Sequence, residues 1–357
     1  MTNKSNKNLK GRGAQVDPAN SFERTSYESF DEFVPEEEER PQTKHIIVHP
    51  KSIVNKVNSP DVGMAYSLNP YQGCEHGCIY CYARNSHEYW GYSAGTEFES
   101  NILIKKNAPD LLRTWLRKTT RKTEPIVISG NTDCYQPAEK KYQLTRKILQ
   151  VFAEYRHPCS IITKNALIKR DLDVLKELAS QDLVKVAVSI TTLDESLRRE
   201  MEPRTASVHN RLNTINELSN AGIPVSVMIA PVIPGLNDHE IPQLLEKTAQ
   251  HGAIDAGFTV VRLNHQIGEI FSDWIHQKYP GYADKVLNQI AACHDGKLND
   301  SRRGKRIKGD GKISEMIEKL FRLHKNKHFA EKPSFKHNCS LFRSDRGRQL
   351  SIFEQDG

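Results

Sequence analysis

The chain has 357 residues, a net charge of +7 at neutral pH and 37% hydrophobic residues, enough for one large domain with polar extensions. No run of about eighteen apolar residues occurs, which excludes a membrane-spanning helix, and the polar start MTNKSNKNLKGRG is not a signal peptide, so the cytoplasm is the expected location. Seven cysteines, odd in number and mostly scattered, fit a reducing compartment where they stay thiols or metal ligands.

Residues 1–43 are polar, carry the acidic run PEEEER from Pro35 to Arg40 and show no sustained periodicity; they are expected to be mobile or to lie as an extended arm. From Lys44 the pattern changes. HIIVHP and SIVNKV are short β-branched segments that read as a strand pair leading into a catalytic domain over 44–270. YSLNP reads as the first strand of that domain and runs into NPYQGCEHGCIYCYARN, which places Cys74, Cys78 and Cys81 within eight residues. Three thiolates can hold three corners of an iron-sulfur cube while the fourth iron stays open. A structural zinc site completed by His76, His87 or Cys134 is the alternative, although zinc ligands usually come as two C-x2-C knuckles, and Cys134, Cys159, Cys293 and Cys339 stand alone.

Beyond the cysteines, a helix to about Trp90 and another over Ala108 to Thr119 precede a regular alternation of apolar runs and helical patterns. The runs are PIVISG, CSIIT, LVKVAVSIT, PVSVMIAPV and AGFTVVRLN. The intervening helices run from about Tyr142 to Tyr155 and through RDLDVLKELAS, SVHNRLNTINELSNAG and HEIPQLLEKTAQHG. With YSLNP this makes six βα units, an α/β fold of the partial (β/α)6 TIM-like barrel kind with N- and C-terminal extensions.

A basic helical extension is expected over 271–345. Residues 297–348 hold 16 Lys or Arg against 6 Asp or Glu, so the positive charge of the chain lives there. Its segment SRRGKRIKGDGK either tracks a phosphate backbone or is an ordinary solvated loop. In the tail, 346–357, Gln349, Leu350, Ser351, Ile352 and Phe353 resemble the Q-L-S-L-F peptide by which bacterial repair and replication proteins dock on the DNA sliding clamp; the alternative is packing of the same apolar pair on the barrel.

In parallel βα folds ligands sit at the carboxyl ends of the strands. PIVISG exits into Asn131, Thr132 and Asp133, whose amide, hydroxyl and carboxylate suit an ammonium or carboxylate guest. CSIIT exits into Lys164, a point charge for a carboxylate, and the next strand ends near Ser189. In MEPRTASVHNR, Glu202 and Arg204 flank a proline, which either aims the guanidinium into the pocket or makes a surface ion pair.

The C-x3-C-x2-C spacing, with Tyr80 before the third cysteine, resembles the signature of the radical S-adenosylmethionine (radical SAM) superfamily. That resemblance implies a 4Fe-4S cluster on Cys74, Cys78 and Cys81, chelation of S-adenosylmethionine by its open iron, and reductive release of a 5'-deoxyadenosyl radical that abstracts a substrate hydrogen. Asn131, Lys164 and Ser189 match the branch that contains spore photoproduct lyase. By that match Asn131 contacts the methionine amino or carboxylate group, Lys164 the carboxylate and Ser189 the ribose, while Tyr80 flanks the adenine. Pro231-x-Ile233-x-Gly235-x-x-Asp238 resembles the family's G-x-I-x-G-x-x-E adenine support, with Pro231 and Asp238 departing from it.

Gly130 stands where the lyase has its hydrogen-donating cysteine, so that reaction does not carry over; Cys134 either donates from another angle or is a buried structural thiol. No second cysteine cluster and no D-x-H-x-x-G motif occur, which leaves simple hydrogen abstraction. The resemblance also implies a flavodoxin or ferredoxin as reductant. It names no substrate: a nucleic-acid lesion, a protein and a metabolite all stay open, as does a nucleic-acid-binding module with a structural metal and no turnover. Oligomeric state is not legible.

Overall fold

The computed structural model describes residues 9–22, 42–119 and 122–344. Its strands, in chain order, are β1 (Lys44–Val48), β2 (Val54–Lys56), β3 (Tyr66–Leu68), β4 (Tyr71–Gln72), β5 (Asn101–Lys105), β6 (Ile126–Ile128), β7 (Cys159–Thr163), β8 (Val184–Ser189), β9 (Val225–Val232) and β10 (Asp255–Val260). The main sheet runs β10-β9-β8-β7-β6-β3-β2, parallel from β10 to β3 and antiparallel only at β2. Each sequence-read βα strand pairs with its chain neighbour, because a helix between them returns the chain to the same sheet end. β10 and β2 are its two edges, so this is a partial, TIM-like barrel open along one side.

The apolar runs of β6 to β9 are buried because helices cover them, and the covering helices bury matching stripes. Leu144–Tyr155 contributes Ile148, Leu149 and Phe152, Leu172–Ala179 contributes Leu175 and Leu178, and Ile241–Gln250 contributes Leu244 and Leu245 to one continuous core. Among the described residues no helix is long and apolar enough to cross a membrane.

One expectation changes. β1 and β2 do not pair with each other: β1 lies parallel to β5 in a small sheet of order β1-β5-β4, and β2 pairs with β3. In the basic extension, Ile317, Phe321 and Phe329 of the long helix Gly311–Phe329 enter the main core, and Lys325 Nζ bonds Asp255 Oδ1 at 2.7 Å.

Residues 9–22 lie extended against the cysteine loop, so this part of the arm is packed. The Glu99 carboxylate accepts from Gly13 N and Ala14 N at 2.9 Å each, and Arg12 Nη1 donates to the Glu99 carbonyl at 2.5 Å. Asp17 Oδ1 accepts from Thr96 N at 2.7 Å, capping the helix Thr96–Ser100. A Cβ on Gly13 would stand 1.8 Å from the Gly77 carbonyl oxygen, between Cys74 and Cys78. Gly13→Ala should therefore cost about 1–3 kcal/mol through backbone displacement. Gly281→Ala, where nothing lies within 4 Å of the added carbon, should be near neutral. Equal urea midpoints for the two variants would refute the packed arm. The acidic run and the clamp-like peptide Gln349 to Phe353 lie outside the described residues.

Candidate active site

The cysteine loop follows β4 and is fixed almost wholly by backbone contacts. Cys74 N donates to Phe98 O at 2.9 Å, and Ile79 N to Met201 O at 3.1 Å. Gln136 grips the loop start from two sides, accepting from Glu75 N at 3.1 Å and donating to Gly73 O at 3.0 Å. Gly77 sits at φ +69°, and a Cβ there would lie 2.8 Å from the Glu99 carboxylate, so only glycine fits. The fully buried Arg84 pairs with Glu99 and donates to the carbonyls of Cys78, Ala94 and Gly95 at 2.9, 3.1 and 2.9 Å. Such a guanidinium acts as a rigid backbone bracket.

Cys74 and Cys78 are buried and Cys81 is partly exposed. Burial pushes the Cys74 and Cys78 thiols up, and negative charge raises them further, at Asp133 for Cys74 and at Glu202 for Cys78, with the neighbouring sulfurs adding to it. Thiols in that situation ionise when a metal takes them. Of the fourth ligands considered for zinc, His76 and Cys134 are engaged elsewhere, while both ring nitrogens of the buried His87 lack a hydrogen-bond partner among the described residues. His76 faces Asp133 Oδ2 at 3.5 Å through Nδ1 and Asn165 Nδ2 at 3.0 Å through Nε2; the His87 ring packs between Tyr92 and Phe98; Cys134 lies in the main core. Among the described residues no three His, Cys, Asp or Glu side chains converge as ligands of a single ion. The three-sulfur donor set suits an iron-sulfur cluster held at three corners.

This loop lies over the carboxyl ends of the strands. Tyr82 Oη bonds Gly130 O at the β6 exit, Asn131 Nδ2 donates to Ser86 Oγ at 3.0 Å, and Lys164 Nζ stands 5.8 Å from the Tyr80 ring centre. Of the β6-exit triplet, Asn131 reaches the cysteine loop at Ser86 and Asp133 reaches it at His76. The Thr132 hydroxyl is buried on Tyr71 O at 2.6 Å. Asp133 accepts from Thr163 Oγ1, Lys164 N and Tyr135 N at 2.8, 2.7 and 2.8 Å, which makes it a bracket between β6 and β7.

Ser189 is buried at the end of β8, its carbonyl bonded by Arg211 Nη1 at 3.0 Å. Ile233 is buried in an apolar cluster with Cys78 and Tyr80. Its amide donates to Asn237 Oδ1 at 2.6 Å, and Asn237 also bonds Thr191 O at 2.8 Å, tying the β9 exit to the β8 exit. Asp238, in the place of the family glutamate, turns back to accept from Gly235 N at 3.0 Å.

Arg204 does not enter the strand-end mouth: its Nη1 lies 3.4 Å from Glu75 Oε2, and its amide donates to His76 O at 3.2 Å. Arg211, by contrast, is fully buried. It pairs with Glu202, whose carboxylate also accepts from Tyr80 Oη and from Thr191 Oγ1 at 2.8 Å. Burial opposes ionisation of Glu202, but Arg211 and Lys164 outweigh it and hold the carboxyl at about 2. Burial likewise works to lower Lys164, yet negative charge at Cys78 and Glu202 leaves it raised and cationic. Cys134 has no exposure and sits among core residues, with burial pushing its thiol well up, so it has no path to a substrate at the mouth. Of the two roles open to Cys134, its burial supports the structural thiol.

Arg211 was not singled out from sequence, although a signal existed. Val208, Arg211, Ile215 and Leu218 recur at helical spacing, which puts an arginine on the buried stripe of Val208–Asn220.

The family model described as Radical SAM superfamily matches residues 68–248. An uncharacterized protein of Mycobacterium tuberculosis is 37% identical over 233 residues, 64% of this chain and 68% of that protein. A Methanocaldococcus jannaschii protein, also uncharacterized, is 30% identical over 69% of this chain and 88% of its own. A protein of Pseudomonas phage M6 named radical SAM Nalpha-GlyT isomerase is 28% identical, covering 65% of this chain and 46% of its own. Among solved structures, a tyrosine-to-phenylalanine mutant of spore photoproduct lyase superposes with a TM-score of 0.61 at 15% identity, over 84% of this chain and 85% of that one. With three cysteines over the strand ends of a partial barrel and these matches together, the chain belongs to the radical SAM superfamily.

Proposed function

We propose that this enzyme holds a 4Fe-4S cluster on Cys74, Cys78 and Cys81, binds S-adenosylmethionine between that loop and the strand ends, and abstracts hydrogen from an organic substrate. The carrying observation is the seating of the three-cysteine loop against the exits of β6 and β7 and against Glu202 beyond β8. When bound, the cluster supplies one-electron reduction of the sulfonium. The chain does the rest: Lys164 offers a fixed cation for the methionine carboxylate, Asn131 an amide for the methionine head, Ser189 a hydroxyl at the ribose level, and Tyr80 with Ile233 an apolar wall for adenine. A flavodoxin or ferredoxin is the proposed reductant.

Anaerobic reconstitution should give about four irons and as many sulfides per chain. Dithionite with S-adenosylmethionine should then yield 5'-deoxyadenosine and methionine. Zinc in place of iron, or no cleavage of the sulfonium, would leave only a stapled binding module.

A nucleoside-containing substrate is the second reading, favoured by a fold shared with a lyase solved with a dinucleoside spore photoproduct. The basic segment supports it less than its composition suggested. Arg302 pairs with Asp300 at 2.6 Å, Arg306 with Asp61 at 2.6 Å, Lys308 with Glu318 at 2.6 Å, and Lys305 with Asp310. Cations already neutralised in place contribute little to phosphate binding. Sliding-clamp docking through Gln349 to Phe353 stands as a separate proposal, checked by clamp pull-down with residues 349–353 deleted.

A further inference from the structure

Arg262 lies two residues past the end of β10, on the same strand-end face as the cysteine loop. It is half-buried and has no hydrogen bond or ion pair with any described residue. Its setting explains why it stays unpaired. Besides burial, the groups it feels are Arg306, Tyr82 and Asp61. Arg306 is another cation. The Asp61 carboxylate is already taken, by Arg306 Nε at 2.6 Å and by Gly304 N at 3.1 Å. Tyr82 follows the cluster ligand Cys81, is 53% exposed and donates its hydroxyl to Gly130 O.

The surrounding frame is built, not incidental. The loop after residue 298 runs along the edge of the sheet, with Leu263 N bonding Leu298 O at 3.0 Å and Val260 N bonding Ile307 O at 2.9 Å. It then reaches the turn Pro60–Val62 through Arg306 and Gly304. β10 and β2, the two edges of the open barrel, are thus bridged by one latch, and Arg262 stands beside it. A half-buried guanidinium has lost hydration without gaining a counter-ion, a costly state unless an anion completes it. Its planar fork of five donors matches phosphate and carboxylate oxygens in pairs.

We propose that Arg262 recognises an anionic oxygen group of the substrate, a phosphate or a carboxylate, held between Tyr82 and the Arg306–Asp61 latch. This rests on the reading of the strand-end mouth as the substrate site. The test uses the full-length reconstituted protein at constant ionic strength, titrated by calorimetry with inorganic phosphate and, separately, with acetate. Saturable binding of at least one anion is expected, weakened about tenfold or more in Arg262→Gln and partly kept in Arg262→Lys, as befits a charged hydrogen-bond partner. Arg303→Gln, in the exposed part of the same loop, should bind like the wild type. Whichever anion binds identifies the substrate group. No saturable binding of either, or equal affinity in wild type and Arg262→Gln, overturns the site. Formation of 5'-deoxyadenosine by the wild type is recorded in parallel. Its absence would overturn the radical reading while the anion result stood.

Discussion

Alanine in place of any one of Cys74, Cys78 or Cys81 should abolish cluster retention and 5'-deoxyadenosine formation. Two remaining thiolates cannot fix an iron-sulfur cube, and His76, turned to Asp133 and Asn165, is not placed to substitute. Cys81 gives the sharpest version because its side chain is partly exposed. Its truncation should cost about 1 kcal/mol or less of stability, so lost activity cannot be laid to unfolding. Iron, sulfide and the visible absorption of the reconstituted variant are the readouts, with the urea midpoint measured alongside. A Cys81→Ala protein that keeps full iron and sulfide and still cleaves S-adenosylmethionine would refute the three-sulfur site.

What could be read from sequence follows from which interactions are local. Five of the six βα strands are legible because each is a short β-branched run beside helical patterns, and burial of such a run needs little more than its own composition; YSLNP, with no β-branched residue, is legible only from the cysteine loop it runs into. β5 was missed: NILIK sits between two short helices and joins a small sheet that only tertiary contact defines. Pairing of β1 with β5, not β2, is of the same kind, since adjacency in sequence does not select a partner across 50 residues. The arm at Arg12 to Asp17 looked free because it is polar, yet Glu99 recognises its backbone, and hydropathy is blind to polar recognition. Thr132 and Asp133 show the converse. Polar residues at a strand exit look available for ligands, but the exit itself must satisfy buried backbone groups, and these two are used for that.

The second large effect is expected at Glu202. Its carboxylate is fully buried and joins Arg211, Thr191 and the Tyr80 hydroxyl. Glu202→Ala leaves Arg211 buried without its counter-ion, which should cost on the order of 3–5 kcal/mol in unfolding free energy. The double change Glu202→Leu with Arg211→Met should recover much of that, because an apolar pair replaces a desolvated one. pH separates the charge effect from lost packing. The folded carboxyl is held at about 2 against an ordinary value of 4.5, so its stabilisation is complete above 4.5 and drains away as pH falls from there towards 2. The deficit of Glu202→Gln relative to wild type should therefore shrink over that interval. Tyr80 loses its anchor in Glu202→Ala and keeps only a neutral amide acceptor in Glu202→Gln, so S-adenosylmethionine affinity should fall more than iron content does, and furthest in Glu202→Ala. Iron and affinity falling together, with a deficit indifferent to pH, would mean that Glu202 only props the loop and does not position Tyr80 against the cofactor.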